Sequence, residues 1–293
     1  MQKPKLLPNL SKVKDKFEGF IIDQWGVIHD GEKVYPGVKD FLLELRVKGK
    51  EVLILSNSGK SSLRNKERLQ KLGINNEHFS EVITSGEVTR LKLISKNEDY
   101  YKNLGSKCYL ISRQNEKSIL SGTEFTVVEN IEAADFILIC GLNSNKPTGY
   151  YENILKSAAF MNLPAICANP DTYQVSGKSI LKGVSYLAKW YEVLGGCVKY
   201  EGKPYPDIYI NCLKWFNERG INKNQILAVG DSIDHDILGG NQCGLQTCLV
   251  RTGLPVPNFK NGEETSAFFK SYDQISKHDP IPTYLADQLN PTV

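Results

Sequence analysis

An acid standing at the end of a short buried run constrains this chain more than any other feature. In residues 20–31, FIIDQWGVIHDG, the side chains of Phe20, Ile21 and Ile22 read as the end of a central strand. A continuous apolar run of this length fits a strand covered on both faces. Asp23 then stands where the strand leaves the sheet. Ligands of open α/β sheets bind in the crevice outside the carboxyl ends of the strands, so a carboxylate there is placed for chemistry. Taken alone, it also fits a cap for the next helix.

The same unit recurs. After the turn Tyr35-Pro36-Gly37, residues 38–48 carry Val38, Phe41, Leu42, Leu45 and Val47 at mostly helical spacing, closed by Gly49. A second buried strand over 52–55 ends in Ser56-Asn57-Ser58-Gly59-Lys60. A helix with Leu63, Arg68, Leu69 and Leu72 follows, and a third strand over 82–84 ends at Ser85-Gly86. Three strand–helix units in series predict a doubly wound parallel sheet, because parallel strands need crossovers. Beyond Glu87 the alternation continues less regularly, with strands expected at 108–112, 125–128, 136–140 and 164–168 and helices at 150–161 and 186–194. Residues 87–199 are therefore expected to form an inserted α/β domain, with 1–86 and 200–293 forming the core domain. After the loop 200–204 come a helix over 207–218, a strand over 226–229 and the acidic loop Gly230-Asp231-Ser232-Ile233-Asp234-His235-Asp236. A further helix to Gly244 and a strand over 246–250 close the sheet. The remainder, with Pro255, Pro257, Pro280 and Pro282, reads as loop and short helix, and the Lys-rich residues 3–16 as a solvated arm.

Composition excludes several classes. A net charge of +3 from 36 basic and 33 acidic side chains, without a long basic block, leaves no electrostatic footprint for nucleic acid. No apolar run approaches the roughly 20 residues that span a bilayer, and Pro4 and Pro8 fall where a secretory signal would be apolar. The seven cysteines lack C-x-x-C spacing and mostly sit in strand-like runs, as small buried hydrophobes of a reducing, cytoplasmic compartment do. His29, His78, His235 and His278 form no zinc-like cluster.

Parallel strands present their carboxyl ends along one edge, so Asp23, Ser56, Lys203 and Asp231 can converge although they are far apart in sequence. Carboxylates without histidine or cysteine partners favour a hard ion such as magnesium, which leaves room for a phosphate. A lysine and the N–H groups of the Ser56-Asn57 turn suit the remaining phosphate oxygens. Asp23 is then placed to attack phosphorus and form an aspartyl-phosphate that water releases.

At this point the motifs resemble a family. Asp23-Gln24-Trp25-Gly26-Val27, the strand ending in Ser56-Asn57, Gly202-Lys203-Pro204 and Gly230-Asp231-x-x-x-x-Asp236 are similar, in order and spacing, to the four motifs of the haloacid dehalogenase-like (HAD) hydrolases. The insert between the second and third motifs, carrying Ala168-Asn169-Pro170-Asp171, resembles the class IIA, NagD-like branch of phosphatases. The resemblance implies a Rossmann-like three-layer core under an α/β cap, a small phosphorylated metabolite as substrate, and cap-to-cap homodimers. It implies Asp23 as nucleophile and magnesium ligand, Ser56 as phosphate ligand with Asn57 beside it, and Lys203 as stabiliser of their charge. Asp231 and the main-chain carbonyl of Trp25 would complete the metal site, supported by Asp236. Cap loop residues 169–178 would select the substrate.

One position departs from the family. Its phosphatases carry a second Asp two residues after the nucleophile as general acid and base, where this chain has Trp25. Trp25 then serves as a wall of the pocket or as a core aromatic. His29 and Asp30, farther along the same loop, are the candidates for replacing the acid, with an Asp-Gly turn as the alternative reading. Rival functions are a dehalogenase-like or acyl/aryl-phosphate hydrolase and a non-catalytic phospholigand-binding protein. Ser58-Gly59-Lys60-Ser61 mimics the end of a P-loop but lacks its first glycine, since Ile54 occupies that place. Asp234 to Gly239 mimics a calcium loop but has Leu245 where the closing glutamate belongs.

Overall fold

The structure, a computed structural model, describes residues 4–143, 146–147, 149–177, 179–254 and 280–290. The strands are β1 (Lys5–Asn9), β2 (Gly19–Asp23), β3 (Glu51–Ser56), β4 (Glu81–Thr84), β5 (Lys107–Ile111), β6 (Thr126–Val128), β7 (Phe136–Ile139), β8 (Ala165–Cys167), β9 (Tyr173–Ser176), β10 (Ser179–Lys182), β11 (Val198–Tyr200), β12 (Ile226–Gly230), β13 (Gln246–Val250) and β14 (Tyr284–Gln288). The helices are α1 (Val38–Val47), α2 (Ser62–Lys71), α3 (Ser85–Ser95), α4 (Asp99–Lys102), α5 (Tyr150–Phe160), α6 (Ser185–Val193), α7 (Pro206–Asn217) and α8 (Leu238–Gln242).

Strands from both ends of the chain build one parallel seven-stranded sheet, ordered β1-β14-β13-β12-β2-β3-β4. The middle of the chain builds a parallel five-stranded sheet, β11-β8-β7-β5-β6, and an antiparallel hairpin, β9-β10. The period-two geometry of a strand explains the layering. In β2, Phe20 and Ile22 face a core shared with Phe41, Leu42 and Leu45 of α1 and Leu69 of α2. Ile21 faces the opposite core with Ile208, Cys212 and Phe216 of α7. Leu53 and Leu55 of β3 join Ile21, while Val52 and Ile54 join Phe20, so helices cover both faces of the larger sheet. Full burial contributes about 1.5–3 kcal/mol for each such side chain. The smaller sheet repeats the pattern, with Ile137 and Ile139 of β7 on one face and Phe136 and Leu138 on the other.

The α/β fold with a Rossmann-like parallel sheet thus stands as the sequence predicts, and β2 lies in its interior beside the middle strand, β12. Chain order runs from β2 to β3 on one side and from β12 to β13 on the other, which makes the β2/β12 boundary a topological switch point. In register, Ile22 pairs with Val229 and Asp23 with Leu55, so Asp23, Ser56 and Asp231 emerge side by side.

Two expectations are corrected. The opening is no solvated arm: β1 pairs with β14 in parallel register, Lys5 to Tyr284 through Asn9 to Gln288. The Lys14 side chain is buried and paired with Glu44. Nor does β13 close the sheet, because β14 pairs with it (Cys248 to Tyr284) and carries β1 in turn. Alternation explains why: Tyr284 and Ala286 face the α1 core while Leu285 packs on Ile237 and Leu249. Lys3, Pro255 and Pro257 lie outside the described residues. Cys108, Cys140, Cys167, Cys212 and Cys248 are buried and unpaired, as the small-hydrophobe reading requires. Among the described residues no helix is long and apolar enough to cross a membrane.

If β14 is structural, Leu285→Ala should cost about 2–5 kcal/mol, the range for a truncated core leucine. Urea denaturation measures it, and a change under about 0.5 kcal/mol would mean that the strand contributes nothing to the core.

Candidate active site

Asp23 ends β2, Ser56 ends β3 and Asp231 follows β12, and all three are buried. Lys203, 2% exposed, reaches them from the loop after β11. Its ammonium donates to Asp23 Oδ1 and, at 2.8 Å, to Asp236 Oδ1. Asp236 lies in a wide turn over Ile233–Ile237, closed by a bond from Ile237 N to Ser232 O at 3.2 Å. Such π-helical turns are rare and recur at functional sites.

Asn57 clamps the lysine. Its Oδ1 accepts from Lys203 N at 2.6 Å, and its Nδ2 donates to Lys203 O at 3.0 Å. The same amide donates to Asp171 Oδ1 at 2.8 Å, tying in the loop after β8. Glycine at 202 makes this approach possible: its φ is +113°, and a Cβ there would stand 2.6 Å from Asn57 Oδ1.

Three buried carboxylates lie together, and two of them, Asp23 and Asp236, share one ammonium. Burial drives the Asp23 carboxyl well above the ordinary carboxylate range against the pull of Lys203, and the neighbouring Asp236 and Asp231 add to it. Burial would push the Lys203 ammonium down, but Asp23 and Asp236 hold it well above its usual value. Burial and Asp236 push Asp231 up to about 7, although Leu254 N donates to its Oδ2 at 2.7 Å. One oxygen from each of Asp23, Asp231 and Asp236 lies within 4.8 Å of the others. Asp236 spends both oxygens on Lys203 and on Ser232 N, whereas Asp23 Oδ2 and Asp231 Oδ1 accept no hydrogen bond among the described residues. An all-carboxylate set with excess negative charge and free oxygens fits a hard divalent cation such as magnesium.

The loop after Asp23 is folded onto itself. Ile28 N and His29 N donate to Gln24 O, and Gly26 N donates to His29 O, bonds in which the Trp25 carbonyl takes no part. His29 is fully buried, and Gly31 N donates to its Nδ1 at 2.9 Å. Its Nε2 therefore carries the proton and meets the Gln24 amide at 3.0 Å, an arrangement that places the otherwise unpartnered Gln24 oxygen there. Burial, reinforced by Arg68, pushes His29 down to about 3, so the ring is neutral near pH 7 and both of its nitrogens are engaged. Asp30 turns outward, its Oδ1 accepting from Glu32 N and Lys33 N, and its carbonyl accepts from Gly177 N of the β9–β10 turn. Neither side chain lines the cavity over Asp23.

Trp25 is a wall. It lines a cavity of about 30 Å³ over Asp23, closed from above by Asp171, Tyr173, Gln174 and Val175. It also lines a neighbouring cavity of about 710 Å³ that shares Ser56, Asp171 and Gln174. Its ring contacts His29 edge to face at 4.8 Å and carries the Arg68 guanidinium at 4.3 Å. Sequence reasoning missed the part played here by His235 and Arg68. His235 lines the smaller cavity, with Nδ1 3.0 Å from Ser232 Oγ and 4.0 Å from Asp171. Asp171 is named in the cap motif and in the loop expected to select the substrate, but its bond to Asn57 was not legible. Arg68 sits in a helical pattern that carries no chemical signal.

Comparison with known proteins places this geometry. The haloacid dehalogenase-like hydrolase family model matches residues 20–126, and a second, HAD-hydrolase-like model matches residues 200–290. An acid sugar phosphatase of Staphylococcus aureus is 26% identical over 284 residues, covering 95% of this chain and 97% of its own length. A haloacid dehalogenase-like hydrolase from Brucella suis 1330 superimposes with a TM-score of 0.81 at 26% identity, covering 97% of this chain and all of its own. NagD from E. coli K-12 shares the fold, with a TM-score of 0.66 at 24% identity over 93% of this chain and 96% of its own.

A carboxyl raised by folding binds its proton more tightly in the native state, so its contribution to stability is complete below its unfolded value and is lost as pH rises through the folded value. For Asp231 that window runs from the ordinary 3.8 to about 7. In chelator, the thermal midpoint should fall by roughly several degrees between pH 5 and pH 7.5. Magnesium should restore it more at pH 7.5 than at pH 5, and Asp231→Asn should flatten the profile. Equal magnesium stabilisation at both pH values would remove Asp231 from the cation site.

Proposed function

Because the chain belongs to the haloacid dehalogenase-like hydrolases, we propose that it hydrolyses the phosphate monoester of a small metabolite through an aspartyl-phosphate formed on Asp23. The observation that carries this reading is the buried Lys203 ammonium shared by Asp23 and Asp236 beside Asp231, at the carboxyl ends of three neighbouring strands. The similarity to an acid sugar phosphatase supports a phosphate-ester substrate.

Asp23 and Asp231, with the Trp25 carbonyl, would hold magnesium, which supplies neutralisation of the phosphoryl charge when bound. Lys203 pulls against the burial that raises the Asp23 carboxyl, favouring its charged form, and offers its positive charge to the phosphoryl oxygens. The Ser56 hydroxyl and the N–H groups of the turn after β3 receive the remaining oxygens. Attack by an Asp23 oxygen forms the P–O bond of the acyl phosphate and breaks the bond to the leaving oxygen; attack by water then releases phosphate and regenerates the carboxylate. Residues 87–199 act as the cap, contributing Asp171 and the hairpin that roofs the cavity. A cavity of about 30 Å³ holds little more than one water, so this roof must withdraw to admit a phosphate.

The indole of Trp25 cannot protonate a leaving oxygen at neutral pH, and positioned acid catalysis is worth about 100-fold to 10,000-fold. The reading therefore favours good leaving groups. Magnesium-dependent release of p-nitrophenol from p-nitrophenyl phosphate should fall at least about 1,000-fold in Asp23→Asn while the fold persists; turnover that survives the substitution would falsify the covalent route. Trp25→Asp should raise turnover of an alkyl phosphate relative to p-nitrophenyl phosphate by about 10-fold or more. An unchanged ratio would mean that this position does not serve the leaving group.

A further inference from the structure

The larger cavity beyond Trp25 is unbalanced in charge. Lys60, Arg64, Arg68, Lys71, Arg113 and Lys182 line it, against Glu67, Glu116 and Asp171. The carboxylates are already spent. Arg64 meets Glu67 at 2.9 Å and Glu116 at 3.9 Å, and Asp171 accepts from Asn57. Among the described residues, Lys60, Arg68 and Arg113 have no carboxylate within ion-pair distance.

An ordinary basic surface does not account for this arrangement. Exposed lysines are hydrated and separated, whereas Lys60 and Arg68 are partly buried and their charges oppose one another. Burial lowers the Lys60 ammonium, Glu116 opposes it, and Arg68, Arg113 and Arg64 lower it further. Burial and then Arg113 do the same to Arg68. Arg68 Nη2 donates to Gly31 O at 3.0 Å, but its buried Nε has no acceptor. Four separate segments supply the cations: the turn after β3, helix α2, the turn after β5 and strand β10. Partly desolvated like charges are costly unless a counter-ion joins them.

The position of the cavity says what that counter-ion belongs to. It opens from Trp25, Ser56, Asp171 and Gln174, which also line the space over Asp23. An ester anchored at Asp23 has this volume for the rest of its structure, and about 710 Å³ suits a metabolite-sized group. We infer that the leaving group carries a second anion, a carboxylate or a further phosphate, received by Lys60, Arg68 and Arg113. This rests on the phosphatase reading, and guanidinium groups suit either anion through paired N–H donors.

The test separates binding from turnover. Three probes share an aryl phosphate and differ in the para group: 4-carboxyphenyl phosphate, its methyl ester, and 1,4-phenylene bisphosphate. Calorimetric binding to the Asp23→Asn protein with magnesium should favour an anionic probe over the ester by about 10-fold or more. The double variant Lys60→Met with Arg113→Met, and separately Arg68→Met, should bring that ratio close to one. A preference for the bisphosphate identifies phosphate as the second group, and the reverse identifies a carboxylate. Equal affinity for the three probes, a preference that survives the variants, or no binding of any probe would overturn the inference. Turnover by the unsubstituted protein is read apart. Preferential binding without hydrolysis overturns the phosphatase reading and leaves the anion subsite standing, whereas hydrolysis of all three without preference does the opposite.

Discussion

The buried ammonium of Lys203 is the interaction on which the rest of this structure depends. A lysine 2% exposed survives only if its charge is matched and its remaining protons are bonded, and Asp23 and Asp236 do the matching. Removing one partner from such a pair typically costs about 3–5 kcal/mol, because the other charge stays buried. Its surroundings serve to place it. Asn57 grips both sides of its backbone, Gly202 leaves room for that grip, and the wide turn over Ile233–Ile237 brings Asp236 within 2.8 Å. The surplus of carboxylate over ammonium then creates a demand for positive charge that no side chain among the described residues meets.

Trp25 divides the space around this centre. On one side lies a volume of about 30 Å³ walled by carboxylates, Lys203 and the residues that follow β8; on the other lies an open cavity of about 710 Å³ with unpaired cations. On the proposed function, the phosphate end of a substrate and its remainder would meet opposite kinds of environment. Arg68 joins the two by lying over the Trp25 face while bonding Gly31 O. On the same reading, the departure at position 25 would change what the leaving group meets, from a carboxyl to an aromatic face backed by a guanidinium.

Local chemistry made much of this legible in advance. Apolar runs ending in Asp23, Ser56 and Asp231 announced parallel strands whose ends converge, and the register confirms the convergence. The edge of the sheet was illegible for an equally physical reason. β1 and β14 are short, β1 is largely exposed and its sequence Lys5-Leu6-Leu7-Pro8-Asn9 carries no clear alternation, so only mutual pairing makes them strands. Arg68 and His235 stayed hidden because their roles depend on facing a cavity made by other segments.

By itself, the sequence determined the α/β class, the central strand and the residue types offered at its end, since those follow from burial period and turn chemistry within a dozen residues. Only the tertiary structure decided that Asp236 spends both oxygens on Lys203 and Ser232, that His29 is a neutral strut and that Lys60 belongs to a basic cavity. Those outcomes turn on close contacts, some between near neighbours such as Ser232 and Asp236 and others between groups far apart in sequence such as Lys203 and Asp236. Charge, hydrogen-bond partner and solvation are properties of that neighbourhood, and the neighbourhood exists only once the sheet and its roof have packed.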